Sequence, residues 1–434
     1  MDASAPADTA QSVAAFEAVA RVIAGAENVR AATSDDRVAG IQPQIVVAPG
    51  SEQQLAQILK TANETGLAVI PRGGGTKLAW GNPPQRADIV LSTARLNAIV
   101  EHAHSDLTVT VEAGCTLKQL SETLAKQNQR LAIDTLWPNR ATVGGILSTN
   151  DSGALRLRFG SLRDLVVGVT LALPDGTLAK SGGKVVKNVA GYDLPKLVTG
   201  ALGTLGVITQ ATFRLHPMPK ETRTISFPVR DAREAQRSVL AIQDFKLAHS
   251  ALQIRFFESM QAQIDVLFEA TEAGCTAQAE QLKKILAPTG ASAIASLPDV
   301  WNARQELYSE AIASPDSVAL VKLSVLPTQI AETYEAISTL AHASRARFSA
   351  VFNAIGIGTI HLAGVPADLV TVVQRLRGKI ESLGGSLVIA HRPDTMPQLD
   401  AWGNAGDALE LMRAVKKQFD PKSTLNPGRF VGGI

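Results

Sequence analysis

The chain has 434 residues, 45% of them hydrophobic and 19% charged. At about 150 residues per domain this means two or three domains with sizeable cores, and the balance excludes disorder and fibre. Forty-two Lys and Arg against 40 Asp and Glu leave a net charge of +2, with no basic cluster to meet a phosphate backbone, which excludes nucleic acid as a partner.

Residues 1–40, Ala-rich and polar, predict a loose tail with one short helix around Val13 to Ile23. Ile45 to Val47 reads as a strand. Ser51 and Gln54 form a capping box ahead of Leu55, Ile58, Leu59 and Ala62, one face of a helix that Gly66 ends. The short strand Leu67 to Ile70 then runs directly into Pro71-Arg72-Gly73-Gly74-Gly75-Thr76-Lys77. Strands follow at Ile89 to Ser92 and Leu107 to Glu112, and Thr116 caps a helix carrying Leu117, Leu120 and Leu124. From Ala141 to Gln210, dense glycines among β-branched residues predict short strands and tight turns, with Asp175-Gly176 as a hairpin turn.

His216-Pro217-Met218-Pro219 marks a domain boundary. Strands and helices then alternate: strand Thr224 to Val229, helix Asp231 to Asp244, strand Ala251 to Phe257, a helix near Ala277 to Leu286. A second round runs through strand Val318 to Val325, helix Ile330 to Ala341, strands Ser349 to Ala354 and Thr359 to Ala363, helix Asp368 to Leu383 and strand Ser386 to Ile389. This order suits an antiparallel sheet with helices on one face, a split βαβ arrangement. Leu409, Met412, Val415 and Phe419 mark a last helix ended by Asp420-Pro421.

No apolar stretch approaches the ~20 residues that span a bilayer. The opening residues carry acid where a signal peptide has Lys or Arg. A cytoplasmic chain is expected, reaching the membrane only through partners. Cys115 and Cys275 give no disulfide framework, redox pair or metal set, and buried thiols are expected.

Gly73-Gly74-Gly75 lets backbone N–H groups turn towards an anion with no Cβ in the way, although a plain tight turn reads the same. Neither a dinucleotide fingerprint nor a P-loop is present, since the third fingerprint position falls on Leu78 and no glycine precedes Lys-Ser or Lys-Thr at the required spacing. His102 and His104 share one side of a strand without carboxylate or cysteine to complete a metal site. The Gly-x-Ser-x-Gly elbow of hydrolases is absent. The chemistry is therefore expected to come from a cofactor.

Three stretches, PRGGGTKLAWG at 71–81, ATVGGILSTNDSG at 141–153 and GGKVVKNVAGYDLPKLVTGALGTLGVITQATFRLHP at 182–217, resemble in order and spacing the PCMH-type FAD-binding domain of the vanillyl-alcohol oxidase family. Within that family GGKVVKNVAGYDL and the ending Phe419-Asp420-Pro421 to Leu425-Asn426-Pro427-Gly428-Arg429-Phe430 are similar to the FAD-binding subunits of bacterial glycolate oxidases. The resemblance implies an α+β fold: the tail at 1–40, a PCMH-type FAD-binding domain of two α/β subdomains at 41–218, a ferredoxin-like cap at 219–400, and a segment at 401–434 packing back on the FAD domain.

Carried over by position, Pro71, Arg72, Gly73, Gly74, Gly75, Thr76 and Lys77 match the pyrophosphate loop. Thr142, Val143, Gly144 and Gly145 match a strand-turn along the flavin, finished by Asn150, Ser152 and Gly153. Gly206, Val207 and Ile208 match a strand at the adenine end, and Pro138 joins the implied FAD contacts. Thr76 stands where covalent members carry the flavin-bonding histidine, so non-covalent FAD is implied. Catalytic hydroxy-acid subunits carry a histidine-rich metal motif and a Glu-His-Gly turn. Here only Gly358-Thr359-Ile360-His361 and Ala390-His391-Arg392-Pro393 correspond, and no metal set is expected.

His361 or His391 as base, Arg392 as carboxylate grip and Tyr192 as substrate contact are the candidate catalytic residues. Buried packing explains the same residues. The implied function is an FAD-dependent oxidoreductase acting on CH–OH donors, as the FAD-binding subunit of a glycolate oxidase or dehydrogenase complex. It would oxidise a 2-hydroxy acid and relay electrons beside a second flavin subunit and an iron–sulfur subunit. A self-sufficient dehydrogenase for a D-lactate-like acid and a non-catalytic FAD-binding scaffold remain as alternatives.

Overall fold

A computed structural model describes residues 5–183, 192–245, 247–258, 261–287, 294–295, 298–396 and 399–434. Positions 184–191, most of the GGKVVKNVAGYDL stretch, lie outside the described residues. The chain divides into two compact units. One comprises Met1–Asp151, Ser161–Pro217 and Ala405–Ile434, and the other Ser152–Gly160 and Met218–Asn404.

The first unit opens with a helix over Ala5–Ala24, which contains the short helix expected around Val13 to Ile23 and extends it through residues expected as loose tail. Val13, Phe16, Ala20 and Ala24 recur at helical spacing and share a core with Val47, Leu55 and Leu59. Val29–Ala31 continues this structure by pairing antiparallel with Ile45–Val47. That strand, Ile89–Ser92 and Val69–Arg72 run parallel in a four-stranded sheet. Their apolar, β-branched run is what a sheet buried on both faces requires. Helix Glu52–Glu64 links two of them, with the Ser51 hydroxyl accepting from the Gln54 N–H at 3.2 Å.

A second, antiparallel sheet orders Ile99–Ala103, Thr108–Glu112, Val207–Arg214, Val166–Ala172 and Leu178–Gly182. The turn joining the last two contains Asp175 and Gly176, whose φ of 87° suits glycine. Residues Val143–Thr149, expected as a strand-turn, form a short helix instead, because Ile146 and Leu147 reach the core with Leu120 and Leu171 at helical spacing.

The second unit is one eight-stranded antiparallel sheet. Its order is Ile294–Ala295, Glu221–Val229, Ala262–Ala270, His249–Phe256, Arg347–Asn353, Ile357–Ala363, Val318–Ser324 and Ser386–His391. Each half follows a β-α-β-β-α-β order, the ferredoxin-like pattern, and the halves join where His249–Phe256 pairs with Arg347–Asn353. Alternate strand residues such as Ile254, Phe268, Val321 and Ile360 enter one core with Val239, Leu282, Ile337 and Leu376 from four helices.

Two features depart from expectation. Helix Ala303–Ala313 packs on the opposite sheet face, against Ile357–Ala363, so helices do not keep to one side. Residues 152–160 also join this unit rather than a continuous 41–218 domain. Leu157 packs on its core, and Arg158 Nη1 donates to the Ala248 carbonyl at 3.1 Å. Among the described residues no helix is long and apolar enough to cross a membrane.

Candidate functional site

Strand Val69–Arg72 delivers the triple glycine into an open cleft of about 700 Å3 in the first unit. The Val69 N–H donates to the Thr424 carbonyl at 2.7 Å and the Asn426 N–H returns to the Val69 carbonyl at 3.0 Å, so the C-terminal segment pairs along this strand. The glycines are sterically required. A Cβ on Gly73 would meet the Thr142 hydroxyl, one on Gly74 would run into the Arg140 carbonyl, and Gly75 has φ 71°. The loop therefore lies backbone to backbone against the start of the Val143–Thr149 helix.

Lys77 does not extend into this cleft as a free cation. Its ammonium lies 3.0 Å from Asp151, with the Trp80 and Trp137 rings 5.9 and 5.7 Å away. Asp151 also accepts from the Thr135 hydroxyl at 2.5 Å and the Leu136 N–H at 2.9 Å. Arg72 is similarly engaged, donating to Asp36 at 2.7 Å beside the bidentate Arg30. The hydrogen bond from Arg30, first, and those from the Thr33 N–H and Arg72 hold the Asp36 carboxyl well below the usual carboxylate range against its burial. Both ends of the loop are thus tied to the protein by buried charge, leaving its backbone for a ligand.

The facing wall consists of Leu202, Gly203 and Gly206–Ile208, completed by Asn426 and Arg429. Asn426 adopts φ 47° and donates to the Leu202 carbonyl at 2.5 Å. Arg429 donates to the Leu78 and Trp80 carbonyls at 2.6 and 2.8 Å and to the Asn426 side-chain oxygen at 3.3 Å. Burial pushes its pKa down to about 10, which leaves it charged at neutral pH.

Pro71, Arg72, Gly73, Gly74, Gly75, Thr76, Lys77, Thr142, Gly144, Gly145, Gly206, Val207 and Ile208 all line this cleft. Five other candidates do not. Val143 packs in the core, and Pro138 is exposed with its carbonyl accepting the Lys118 N–H. Asn150 ends the short helix at φ 46°, while Ser152 and Gly153 belong to the second unit. Ser148, Thr149, Leu202, Gly203, Asn426 and Arg429 line the cleft without having been singled out as contacts. The Asn-Pro-Gly-Arg ending was the available signal, since asparagine before a turn tolerates the left-handed conformation.

The buried Thr142 hydroxyl has no hydrogen-bond partner, and a Cβ at Gly73 would fill the space beside it. An unsatisfied buried polar group next to a glycine cradle fits a ligand carrying phosphate oxygens.

Strand register in the second unit brings His361 and His391 to either side of Leu320, on the face bearing helix Ala303–Ala313. Neither ring nitrogen of His361 has a hydrogen-bond partner, and Nε2 lies 3.6 Å from Glu310. Burial lowers the pKa of both histidines. Arg392 donates to the Leu399 carbonyl, and burial likewise lowers its pKa. Tyr192 lies in the first unit and is 90% exposed.

A cavity of about 600 Å3 in the second unit is lined by Glu258, Glu306 and Glu310. Its Arg255 is already held by Asp265 and Gln263. No group of three or more His, Cys, Asp or Glu among the described residues could hold a metal ion.

Residues 43–182 match the family model of the FAD binding domain, and residues 229–430 that of the C-terminal domain of FAD linked oxidases. The chain pairs these two domains and is an FAD-dependent oxidoreductase. It is 29% identical to the D-lactate dehydrogenase of Archaeoglobus fulgidus, over 89% of this chain and 91% of that protein. It is 27% identical to glycolate oxidase subunit GlcD of Bacillus subtilis, over 89% of each. The crystal structure of p-cresol methylhydroxylase with substrate bound superposes with a TM-score of 0.78 at 15% identity, covering 98% of this chain and 97% of that one. That likeness extends to the fold.

Proposed function

We propose that the cleft of the first unit binds FAD non-covalently and that the chain oxidises a 2-hydroxy acid, or relays the electrons of that oxidation, as a CH–OH oxidoreductase. The carrying observation is the glycine cradle at 73–75 facing the unpartnered Thr142 hydroxyl. Backbone N–H groups of Gly73 to Thr76 would hold the pyrophosphate, the Thr142 hydroxyl would donate a further bond, and Arg429 would add fixed positive charge. Bound FAD supplies a two-electron acceptor. Thr76 offers no imidazole at the position used for covalent attachment. The two relatives, named for D-lactate and glycolate, support a small 2-hydroxy acid as the electron donor.

Within this reading the chain is the relay subunit of a glycolate oxidase-type complex, beside a second flavin subunit and an iron–sulfur subunit. The cap supports this. Three glutamates line its cavity, which disfavours a carboxylate substrate, and Arg255 is committed to Asp265. Co-expression with a second flavin subunit and an iron–sulfur subunit tests it. A stable complex whose glycolate-dependent electron transfer requires this chain is expected. A complex that turns over equally well without the chain would refute the relay role.

A self-sufficient D-lactate-type dehydrogenase is favoured by one observation, the pairing of His361 and His391 across Leu320. Buried imidazoles with lowered pKa are neutral at pH 7 and able to accept the substrate hydroxyl proton. Fast reduction of the purified chain by D-lactate, lost in His391→Ala, would establish that reading.

A further inference from the structure

Helix Leu409–Phe419 buries a single residue, the cation Lys416. Its ammonium has three donors, and three oxygens receive them. These are the Asp420 carboxylate at 2.7 Å, the Thr204 carbonyl at 2.8 Å and the Leu425 carbonyl at 3.0 Å. The Lys416 and Asp420 side chains are 7% and 0% exposed. Asp420 also accepts from the Thr424 and Leu425 N–H groups at 2.9 and 2.8 Å, so the carboxylate shapes the turn that the ammonium grips.

Both gripped carbonyls belong to cleft walls. Thr204 lies between Gly203 and Gly206, and Leu425 immediately precedes Asn426, all three flanking residues lining the cleft. The helix leaves Leu411 and Met412 exposed and Leu409, Val415 and Phe419 half-buried, so its one fully buried side chain is the lysine's. Burying a charge costs free energy unless it is fully hydrogen-bonded, and here the bonds go to the two segments that must be held at a fixed separation.

We propose that Lys416 is a positioning residue for the cofactor, clamping the 202–206 and 425–429 walls of the cleft to each other without touching FAD itself. This rests on the reading that the cleft holds FAD. Loss of the clamp lets the walls separate, so FAD affinity falls while the rest of the unit stays folded.

The test uses the full-length chain and measures FAD affinity by flavin fluorescence, with far-ultraviolet circular dichroism of the apoprotein alongside. Lys416→Met keeps the aliphatic stem and removes the ammonium, and is expected to raise the FAD Kd by about tenfold or more. Lys417→Met, at an exposed position, should leave it unchanged. In Lys416→Ala, n-propylammonium should restore affinity and n-propanol should not, a distinction that a packing role would not produce. Should Lys416→Met fail to fold, Lys416→Ala refolded in n-propylammonium carries the same comparison.

Unchanged affinity in Lys416→Met, equal loss in Lys417→Met, or equal rescue by the alcohol would overturn the clamp. Gly74→Val reports on the cleft separately. If it binds FAD like the wild type, the cleft reading itself fails.

Discussion

Lys77 and Asp151 form a buried ion pair at 3.0 Å, their side chains 5% and 0% exposed, at the end of the glycine loop. The lysine that a pyrophosphate loop invites one to assign to phosphate is thus spent on fixing the loop. Removing one partner of a buried pair strands the other charge at a cost of about 3–5 kcal/mol. Lys77→Met and Asp151→Asn should each lower unfolding free energy by an amount of that order in urea titrations. A Lys77→Met/Asp151→Leu double variant should recover much of it. Additive losses in the double variant would contradict the pairing.

Gly74 faces the Arg140 carbonyl so closely that no side chain fits, whereas a Cβ on Gly145 would only approach the Thr142 hydroxyl at 3.3 Å. Overpacking costs about 1–3 kcal/mol, which corresponds to about fivefold to 150-fold in affinity if it falls on the bound state. Gly74→Ala should weaken FAD binding to that extent, measured by calorimetry. Gly145→Ala should have the smaller effect.

Acid sensitivity has an identifiable source in Asp36, whose carboxyl is held low chiefly by its hydrogen bond from Arg30. A folded-state pKa below the unfolded value of about 3.9 contributes stability that is present above that value and lost as pH falls towards the folded one. The melting temperature should therefore drop steeply below about pH 4. Asp36→Asn should flatten that limb and lower stability at neutral pH.

His361 titrates with the opposite state at stake. Burial lowers its pKa, so the unfolded chain takes up the proton first, from about pH 6.5 downwards, and stability falls as pH drops until the folded value is reached. His361→Gln should remove this part of the slope. Imidazole resonances that titrate at or above the unfolded value would contradict the burial argument.

Much of the first unit was legible in the sequence because its signals are local. The Ser51 and Gln54 caps, the run into Gly73–Gly75 and the turn at Asp175-Gly176 each depend on neighbours within a few residues. What the sequence hid depends on distant acceptors. The Leu409–Phe419 helix has an apolar stripe that reads as a core face, yet Lys416 is the residue buried, because its three oxygens come from positions 204, 420 and 425.

Ser152 and Gly153 read as the end of a flavin-loop motif and residues 154–160 as part of the 41–218 domain, but Leu157 finds its core in the second unit. The helix expected around Val13 to Ile23 extends back to Ala5, a length the sequence hid because Phe16 is the one large aromatic on an alanine-rich face. Tyr192 stood out only by rarity, and its side chain is exposed in the first unit.

The most direct measurement is an absorption spectrum of the purified chain loaded with FAD, followed under anaerobic conditions by glycolate and then D-lactate. The relay reading predicts a yellow protein that neither acid bleaches quickly and that dithionite or the partner subunits reduce reversibly. Rapid bleaching by either acid alone would contradict the relay role, and a colourless chain that takes up no FAD would contradict the cleft.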